Sequence, residues 1–359
     1  MYPPIPMRSI FSVFLYRERL LRYLEVTYSQ KIIPDETLLF FDEIQFSERA
    51  LTSLKYFCEQ APEYHIAAAG SLLGVAINRQ RYSYPVGKVE TITLYPLDFE
   101  ERNPLPQALH LQAIELYREY IWVGGMPACI NTFIDSGTFL DVPLIQREIM
   151  DNYIADMAKY STNQDSVKIR ACYNSIPTQL AKDNRKFQYK VVQKGGSATI
   201  FGASIEWLNL AGVVLKCQRI QHAYQPISVN ADLSAFKLYM GDVGMLVMKS
   251  GIAAQTVFSG ESNMFMGAVT ENYVAQQLIA KGYSLYYWES KGTAELDFVI
   301  QKENQIIAIE VKKGERVRSR SLNLFMNAYE PDCAIRLSLK NIREENGIFS
   351  VPLYATFCL

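Results

Sequence analysis

Residues 294–314 read AELDFVIQKENQIIAIEVKKG, a stretch that constrains the fold more than any other in the chain. Glu295, Asp297 and Val299 alternate with Leu296, Phe298 and Ile300; Ile306, Ala308, Glu310 and Lys312 alternate with Ile307, Ile309 and Val311. A period of two predicts a pair of β-strands. The turn spans Lys302 to Gln305. With Glu303 and Asn304 at its centre, Lys302 pairs with Gln305, which sets Asp297 opposite Glu310 and Glu295 opposite Lys312. Glu-Asn is not the favoured Asn-Gly turn, so a slip of one or two residues stays open. Like charges facing each other across a ladder destabilise it, and a cation between Asp297 and Glu310 would relieve that repulsion. The alternative is an exposed Glu295–Lys312 ion pair, with Asp297 and Glu310 merely at the strand ends. Upstream, GAVTENYVAQQLIAKG predicts a helix that buries Val274, Leu278 and Ile279 and carries Glu271.

A second informative stretch is TLLFFDEIQFSERALTSLKYF, residues 37–57. Leu38 to Phe41 run without a polar break into Asp42 and Glu43, the pattern of a strand buried on both faces that delivers two acids to its carboxyl end. Ser47 is placed to N-cap a helix with Leu51, Leu54 and Cys58 on one face. YHIAAAGSLLG then predicts a further strand over 64–69 that ends in Gly70-Ser71. Strand, acids, helix, strand and small polar residue follow the order of an α/β nucleotide-binding core. Such a core needs a phosphate-cradling loop. No G-x-x-x-x-G-K-[ST] occurs; the Gly87-Lys88 pair has Tyr82 in place of the first glycine and Val89 in place of Ser/Thr, and lies after the acidic strand. No glycine precedes Asp42, so no nest of backbone N–H groups is expected there.

Composition narrows the class. The chain has 359 residues, 49% of them hydrophobic, enough for two or three ordinary cores. Six cysteines without a C-x-x-C and only three histidines argue against a zinc site or a disulfide framework and fit a reducing cytoplasm. Pro3, Pro4 and Pro6 interrupt the start, unlike a secretory signal. The longest apolar runs are too short, or carry Glu206 and Asn209, so no membrane span is expected. A net charge of −1 leaves nucleic-acid binding to local patches.

Several segments carry a family resemblance: LLFFDEIQ, AAAGSLLG, PVGKVETITLYPLDFEE, WVGGMPACI, YIADMAKYS, FKLYMGDVGML, GAVTENYVAQQL and ELDFVI with IEVKKG. In this order they resemble bacterial and archaeal AAA-type ATPases that join an ATPase domain to a C-terminal domain of unknown function. The resemblance implies that Asp42 and Glu43 are the Walker B acids, Asp42 holding Mg²⁺ and Glu43 polarising the attacking water beside ATP. Ser71 would take the sensor position. The family's Walker A motif has no counterpart here, which implies a sequence that begins inside the ATPase domain and binds ATP weakly. The C-terminal hairpin resembles the PD-(D/E)XK nuclease-like fold. That implies Mg²⁺ at Asp297 and Glu310, a further acid from Glu271, and Lys312 positioning the attacking water or stabilising developing charge.

Between these ends, Pro104 and Pro106 break the chain, and LHLQAIELYREYIWVGGMP predicts a helix closed by Gly124, Gly125 and Pro127. Helices over 144–180 and 197–210, followed by the β-like VVLKCQRI, suggest a winged helix. The run 181–195 offers Lys182, Arg185, Lys186, Lys190 and Lys194 against Asp183 as a phosphate footprint. Lys313, Arg316, Arg318 and Arg320 flank the hairpin. The expected architecture is α/β: an incomplete P-loop NTPase core over 1–103, a helical lid over 104–145, a winged-helix-like region over 146–262 and a nuclease-like α/β domain over 263–359. The expected function is an AAA-family ATPase-like protein, impaired in ATP binding, coupled to nucleic acid. A metal-dependent nuclease with a vestigial ATPase part and a non-catalytic interaction protein are the alternatives. The oligomeric state stays open.

Overall fold

The computed structural model describes residues 17–70, 85–102, 110–159, 161–260, 263–290, 294–314 and 320–359. The chain divides into two units that part between Leu94 and Tyr95. The first contains α1 (Arg17–Tyr28), β1 (Leu38–Phe41), α2 (Glu48–Gln60) and β2 (His65–Ala68). β1 and β2 pair in parallel, from Leu38↔His65 to Phe41↔Ala68. A parallel pair requires a crossover, and α2 supplies it. The expected cap is found: Ser47 Oγ accepts the Ala50 N–H at 3.2 Å.

Two expectations change in this unit. Leu39 and Phe41 are buried, but Leu38 and Phe40 are each 61% exposed, so β1 is covered on one face rather than both. On α2, Cys58 is exposed and Phe57 is buried. The helical period places Phe57 in line with Ala50, Leu54 and Ala61, one step away from Cys58.

The second unit begins with α3 (Phe99–Arg102), α4 (His110–Val123), α5 (Pro127–Ser136), α6 (Val142–Lys159), α7 (Asn163–Leu180), α8 (Tyr189–Val192) and α9 (Ala198–Leu210). Then come β3 (Val214–Ile220), β4 (Ala231–Met240), α10 (Val243–Ser250), α11 (Ala254–Ser259) and α12 (Met266–Ala280). The chain closes with β5 (Tyr286–Glu289), β6 (Glu295–Lys302), β7 (Gln305–Val311), α13 (Arg320–Tyr329), β8 (Cys333–Ser338), β9 (Arg343–Glu345) and β10 (Ile348–Pro352). All eight strands form one mixed sheet in the order β4-β3-β5-β6-β7-β8-β10-β9. β5, β6 and β7 make an antiparallel meander; α13 then crosses over to place β8 parallel to β7.

One core runs through the segments expected to be separate. Ile121, Cys129, Cys172, Ile205, Leu238, Val274, Phe298 and Ile335 all belong to it. The lid, middle and C-terminal regions therefore pack as one compact unit, from Tyr95 to Leu359. The strand expected to follow the winged-helix helices, β3, lies near one end of the sheet between β4 and β5 and pairs in parallel with β5. The opposite face of the sheet buries Trp288, Leu296, Val299 and Ala308 against Leu322 and Phe325 of α13.

α4 stops at Gly124, whose φ of 78° suits glycine. A Cβ on Gly125 would fall 2.1 Å from the Leu97 carbonyl oxygen, so this close approach also requires glycine.

Candidate functional site

In the first unit, Asp42 and Glu43 leave the carboxyl end of β1 and are both exposed. Asp42 Oδ1 accepts the Glu43 N–H at 3.0 Å. Glu43 adopts the left-handed conformation, φ 52°, and its carboxylate accepts from the Gln45 amide. The end of β1 is tied to the end of β2 by Ala69 N–H to Phe41 O at 2.8 Å and Ile44 N–H to Ala69 O at 3.0 Å. Ser71 lies outside the described residues. A cavity of about 560 Å³ on the same unit is lined by Leu51, Phe57, Tyr64, Ile66 and Ile92, with neither acid in its wall.

The polar centre of the second unit is built around α12. Every residue from Ala268 to Leu278 is buried, so this helix has no solvent face and the expected one-sided burial does not apply. Its polar side chains hold neighbouring backbone instead. Asn272 Oδ1 accepts the Met240 N–H at 2.7 Å while its Nδ2 donates to Met240 O at 3.0 Å. Gln276 Oε1 accepts from Val243 N–H at 2.9 Å, and Gln277 Oε1 accepts from Phe99 N–H at 3.0 Å. Asp242, also buried, takes the N–H groups of Gly125 at 2.7 Å and Met245 at 3.1 Å. Burial pushes the Asp242 carboxyl up, against the downward pull of those donors.

Glu271 sits in this helix at 2% exposure with both oxygens engaged. Oε1 pairs with the Arg185 guanidinium. Oε2 accepts from the Tyr239 hydroxyl at 3.0 Å and lies 3.6 Å from Lys237 Nζ. Lys237 itself is fully buried on β4, with Glu295 Oε1 at 2.6 Å and the Tyr287 ring centroid at 5.1 Å. Glu295 is therefore paired with Lys237 and not with Lys312.

A β-bulge explains the turn of Glu295 towards α12. Between Trp288↔Leu296 and Tyr286↔Val299, β5 advances two residues and β6 three. The extra residue breaks the expected alternation: Leu296 joins Val299 on the α13 face, and Phe298 and Ile300 stay on the α12 face. Asp297 lies within this bulge. The hairpin register itself is as expected over its paired length, from Lys302↔Gln305 to Phe298↔Ile309. Asp297 Oδ2 accepts the Val311 N–H at 2.7 Å. Glu310 is 2% exposed; Oε1 meets Lys312 Nζ at 3.0 Å, while Oε2 has no hydrogen-bond partner among the described residues.

These positions correct the expected metal set. Glu271 comes from the α12 side and is neutralised by Arg185 and Lys237, whereas Glu310 alternates with Ile309 and Val311 and so shares the face of Ala308. Among the described residues no group of three or more His, Cys, Asp or Glu side chains gathers as a metal cluster. Asp297 and Glu310 remain, with Lys312 3.0 Å from Glu310 and Arg336 opposite Glu310 on β8. The buried, unpartnered Glu310 Oε2 fits a cation, and Mg²⁺ commonly takes only one or two carboxylates and keeps its waters. Asp42 and Glu43 are exposed and of a suitable chemical type for Mg²⁺.

The basic run is also largely committed inside the fold. Arg185 pairs with Glu271 and Lys186 with Glu289, and Lys182 donates to Gln188 at 3.4 Å. Lys190 and Lys194 are exposed. Glu289 is also met by Arg219 at 3.2 Å; burial raises its carboxyl, and the two cations more than reverse that shift, leaving it lowered. Beside the hairpin, Lys313 donates to Asn263 O at 2.8 Å, while Arg316 and Arg318 lie outside the described residues. The sequence reading missed Lys237, Asn272, Gln276, Gln277 and Asp242. The available signal was five polar residues, TEN and QQ flanking YVA, spread around an otherwise apolar helix.

Three family models match the chain in series. An AAA domain matches residues 8–103, a domain of unknown function (DUF8612) residues 114–256, and a domain of unknown function (DUF4143) residues 266–356. The first supports an AAA-type ATPase-like architecture, a group that generally uses ATP and Mg²⁺. The second contains β3 and β4 and the third β5 to β10, so two matched segments build one sheet. No curated protein matches the chain. Among solved structures, protein VC1899 from Vibrio cholerae is 10% identical over 98% of this chain and 86% of its own, with a TM-score of 0.19. Among the described residues no helix is long and apolar enough to cross a membrane.

Proposed function

We propose that this AAA-type ATPase-like chain carries, in its second unit, a metal-assisted site for phosphodiester chemistry on nucleic acid, formed by Asp297, Glu310 and Lys312. The observation that carries this reading is the buried Glu310 carboxylate, with one oxygen that has no hydrogen-bond partner among the described residues, 3.0 Å from Lys312 and one residue before Val311, whose N–H Asp297 accepts. The order α12, β5-β6-β7 meander, α13 crossover and parallel β8 supports it, being the order of the PD-(D/E)XK nuclease-like fold that the sequence resembles. Bound Mg²⁺ would polarise the phosphoryl group and lower the pKa of a water. Asp297 and Glu310 would hold the ion, and Lys312, partly exposed, would offer its ammonium to the charge that develops on the phosphate.

In the first unit Asp42 and Glu43 keep the Walker B arrangement at a strand end. Together with a phosphate-binding loop, Asp42 would hold Mg²⁺ and Glu43 would polarise the attacking water beside ATP. The internal pairing of Glu271 favours a second reading, in which the fold persists as an interaction module without chemistry.

The test is metal-dependent cleavage. Supercoiled DNA, single-stranded DNA and RNA would be incubated with purified wild-type and Lys312→Ala protein in Mg²⁺ or Mn²⁺. Wild type is expected to cut at least one substrate, and Lys312→Ala to slow that step by about 100-fold or more, the scale for losing one charge-stabilising donor. Cleavage unchanged in Lys312→Ala would assign the activity elsewhere, and no cleavage of any substrate would favour the interaction module.

A further inference from the structure

We propose that the ends of β7, β8, β10 and β9 nearest Glu310 form a track for a phosphodiester backbone, running from the Asp297 and Glu310 carboxylates to Lys340 and Arg343 at the edge of the sheet. The choice of partner rests on the phosphodiester reading of Asp297, Glu310 and Lys312. Two independent observations support it.

First, the strand register lays out the path. Glu310 pairs with Arg336, Arg336 with Ser350 and Ser350 with Arg343, one lateral row through β7, β8, β10 and β9. Alternation puts Glu310 on the face of Ala308, Arg336 on that of Ala334 and Ser350 on that of Ile348, which is the α13 face for all three. Neighbouring strands lie about 4.8 Å apart, so the row extends roughly 14 Å from Glu310. β7, β8 and β10 are parallel, and the row runs beside their carboxyl ends, the side on which open α/β sheets bind ligands.

Second, charge divides the two ends of these strands. From the Glu310 row outward, the described charged residues of the four strands and of the loops leaving β7 and β8 are five cations, Lys312, Lys313, Arg336, Lys340 and Arg343, against Glu310. Asp297 adds a second carboxylate from β6, where it accepts the Val311 N–H. At the opposite end the turns carry Glu303, Glu330, Asp332 and Glu345 against Lys302. Lys312 lies 3.0 Å from Glu310, Arg336 stands opposite it, and Lys313 donates to Asn263 O. Lys340 and Arg343 are exposed and in no ion pair among the described residues. Carboxylates that hold a metal repel the phosphates of the same substrate, and surplus cations beside them offset that repulsion. A single phosphate at Glu310 would not reach Arg343; a chain of phosphates laid along the row would.

The experiment measures binding of a short fluorescent oligonucleotide, single-stranded and duplex, to the full chain by anisotropy. Chelator is present throughout, which stops metal-dependent cleavage, and salt is varied from about 50 to 200 mM. Wild type should bind with an affinity that falls linearly in log–log form. Lys340→Gln with Arg343→Gln should weaken binding about 10-fold or more and flatten the slope by about 0.7–0.9 per lost contact. Lys302→Gln, at the acidic end of the same strands, should change affinity less than about twofold. Unlabelled oligonucleotide should displace the probe better than polyglutamate at equal charge. No binding by the wild type, an unchanged slope in the double variant, or an equal loss in Lys302→Gln would overturn the track. Polyglutamate competing equally would overturn the choice of partner in favour of an acidic protein segment. The metal-induced rise in melting should survive in the double variant. Its absence from the wild type, with the binding defect present, would overturn the metal reading and leave the track standing.

Discussion

Replacing Asn272 by Ala tests how α12 is fixed to the sheet. Asn272 is fully buried and spans both backbone groups of Met240, the last residue of β4, accepting at 2.7 Å and donating at 3.0 Å. Met240 pairs with Val214 on one side only, so Asn272 does the work of a neighbouring strand on the other. Asn272→Ala strands one N–H and one C=O, at about 1–3 kcal/mol each when buried. Water entering the space left behind offsets part of this, and a net loss of about 3 kcal/mol follows. All three tryptophans, Trp122, Trp207 and Trp288, lie in the second unit, so urea unfolding followed by their fluorescence reports on that unit alone. The midpoint should fall with an unchanged slope, and melting should drop by roughly 6–12 °C at about 2–4 °C per kcal/mol. Asn323→Ala, on the exposed side of α13, is the control and should stay within about 0.5 kcal/mol. A loss below about 1 kcal/mol in Asn272→Ala would refute the reasoning.

Ser47→Ala should cost the first unit about 1 kcal/mol through loss of its N-cap, measured by hydrogen exchange of α2 amides; unchanged protection would contradict the cap. Asp232 is lowered from 3.8 to about 2 by hydrogen bonds from Ser234 and Arg219. A depressed carboxyl contributes stability that is full above its unfolded value and is lost as pH falls through the folded one, so the gap between wild type and Asp232→Asn should close between pH 3.8 and about 2. A gap independent of pH would count against the pairing. If nucleic acid binds along the 181–195 run, Lys190→Glu with Lys194→Glu should flatten the salt dependence of binding. Lys186→Glu should instead destabilise the fold, because it sets a carboxylate against Glu289; the reverse pattern would restore Lys186 as a phosphate contact.

Features set by neighbours in sequence were legible. Ser47 caps within three residues, Gly124 ends a helix by its own φ, and a two-residue turn fixes the β6–β7 register. What the sequence hid was carried by distant partners. The charge of the basic run counts as a surface patch until Glu271 and Glu289, 86 and 103 residues on from Arg185 and Lys186, are seen to neutralise it. The β6 bulge has no glycine to announce it, and a strict period of two therefore put Glu295 on the wrong side. α12 read as amphipathic because Glu, Asn and Gln look solvent-facing, whereas each is satisfied by backbone or charge from elements about 30 or more residues away. The shared sheet was hidden for the same reason: β3 meets its neighbour β5 across α12, 66 or more residues further along the chain.

The central claim is the cation site at Asp297 and Glu310, and metal-induced stabilisation tests it most directly. Melting would be followed by tryptophan fluorescence in chelator and in Mg²⁺ or Mn²⁺, for wild type and Asp297→Asn. An asparagine oxygen can still accept the Val311 N–H, so Asp297→Asn should leave metal-free stability unchanged or slightly raised. At free metal ten times Kd the wild type should gain about 1.4 kcal/mol by mass action, or roughly 3–6 °C, and Asp297→Asn should gain nothing. No gain in the wild type, or an equal gain in Asp297→Asn, would contradict the site.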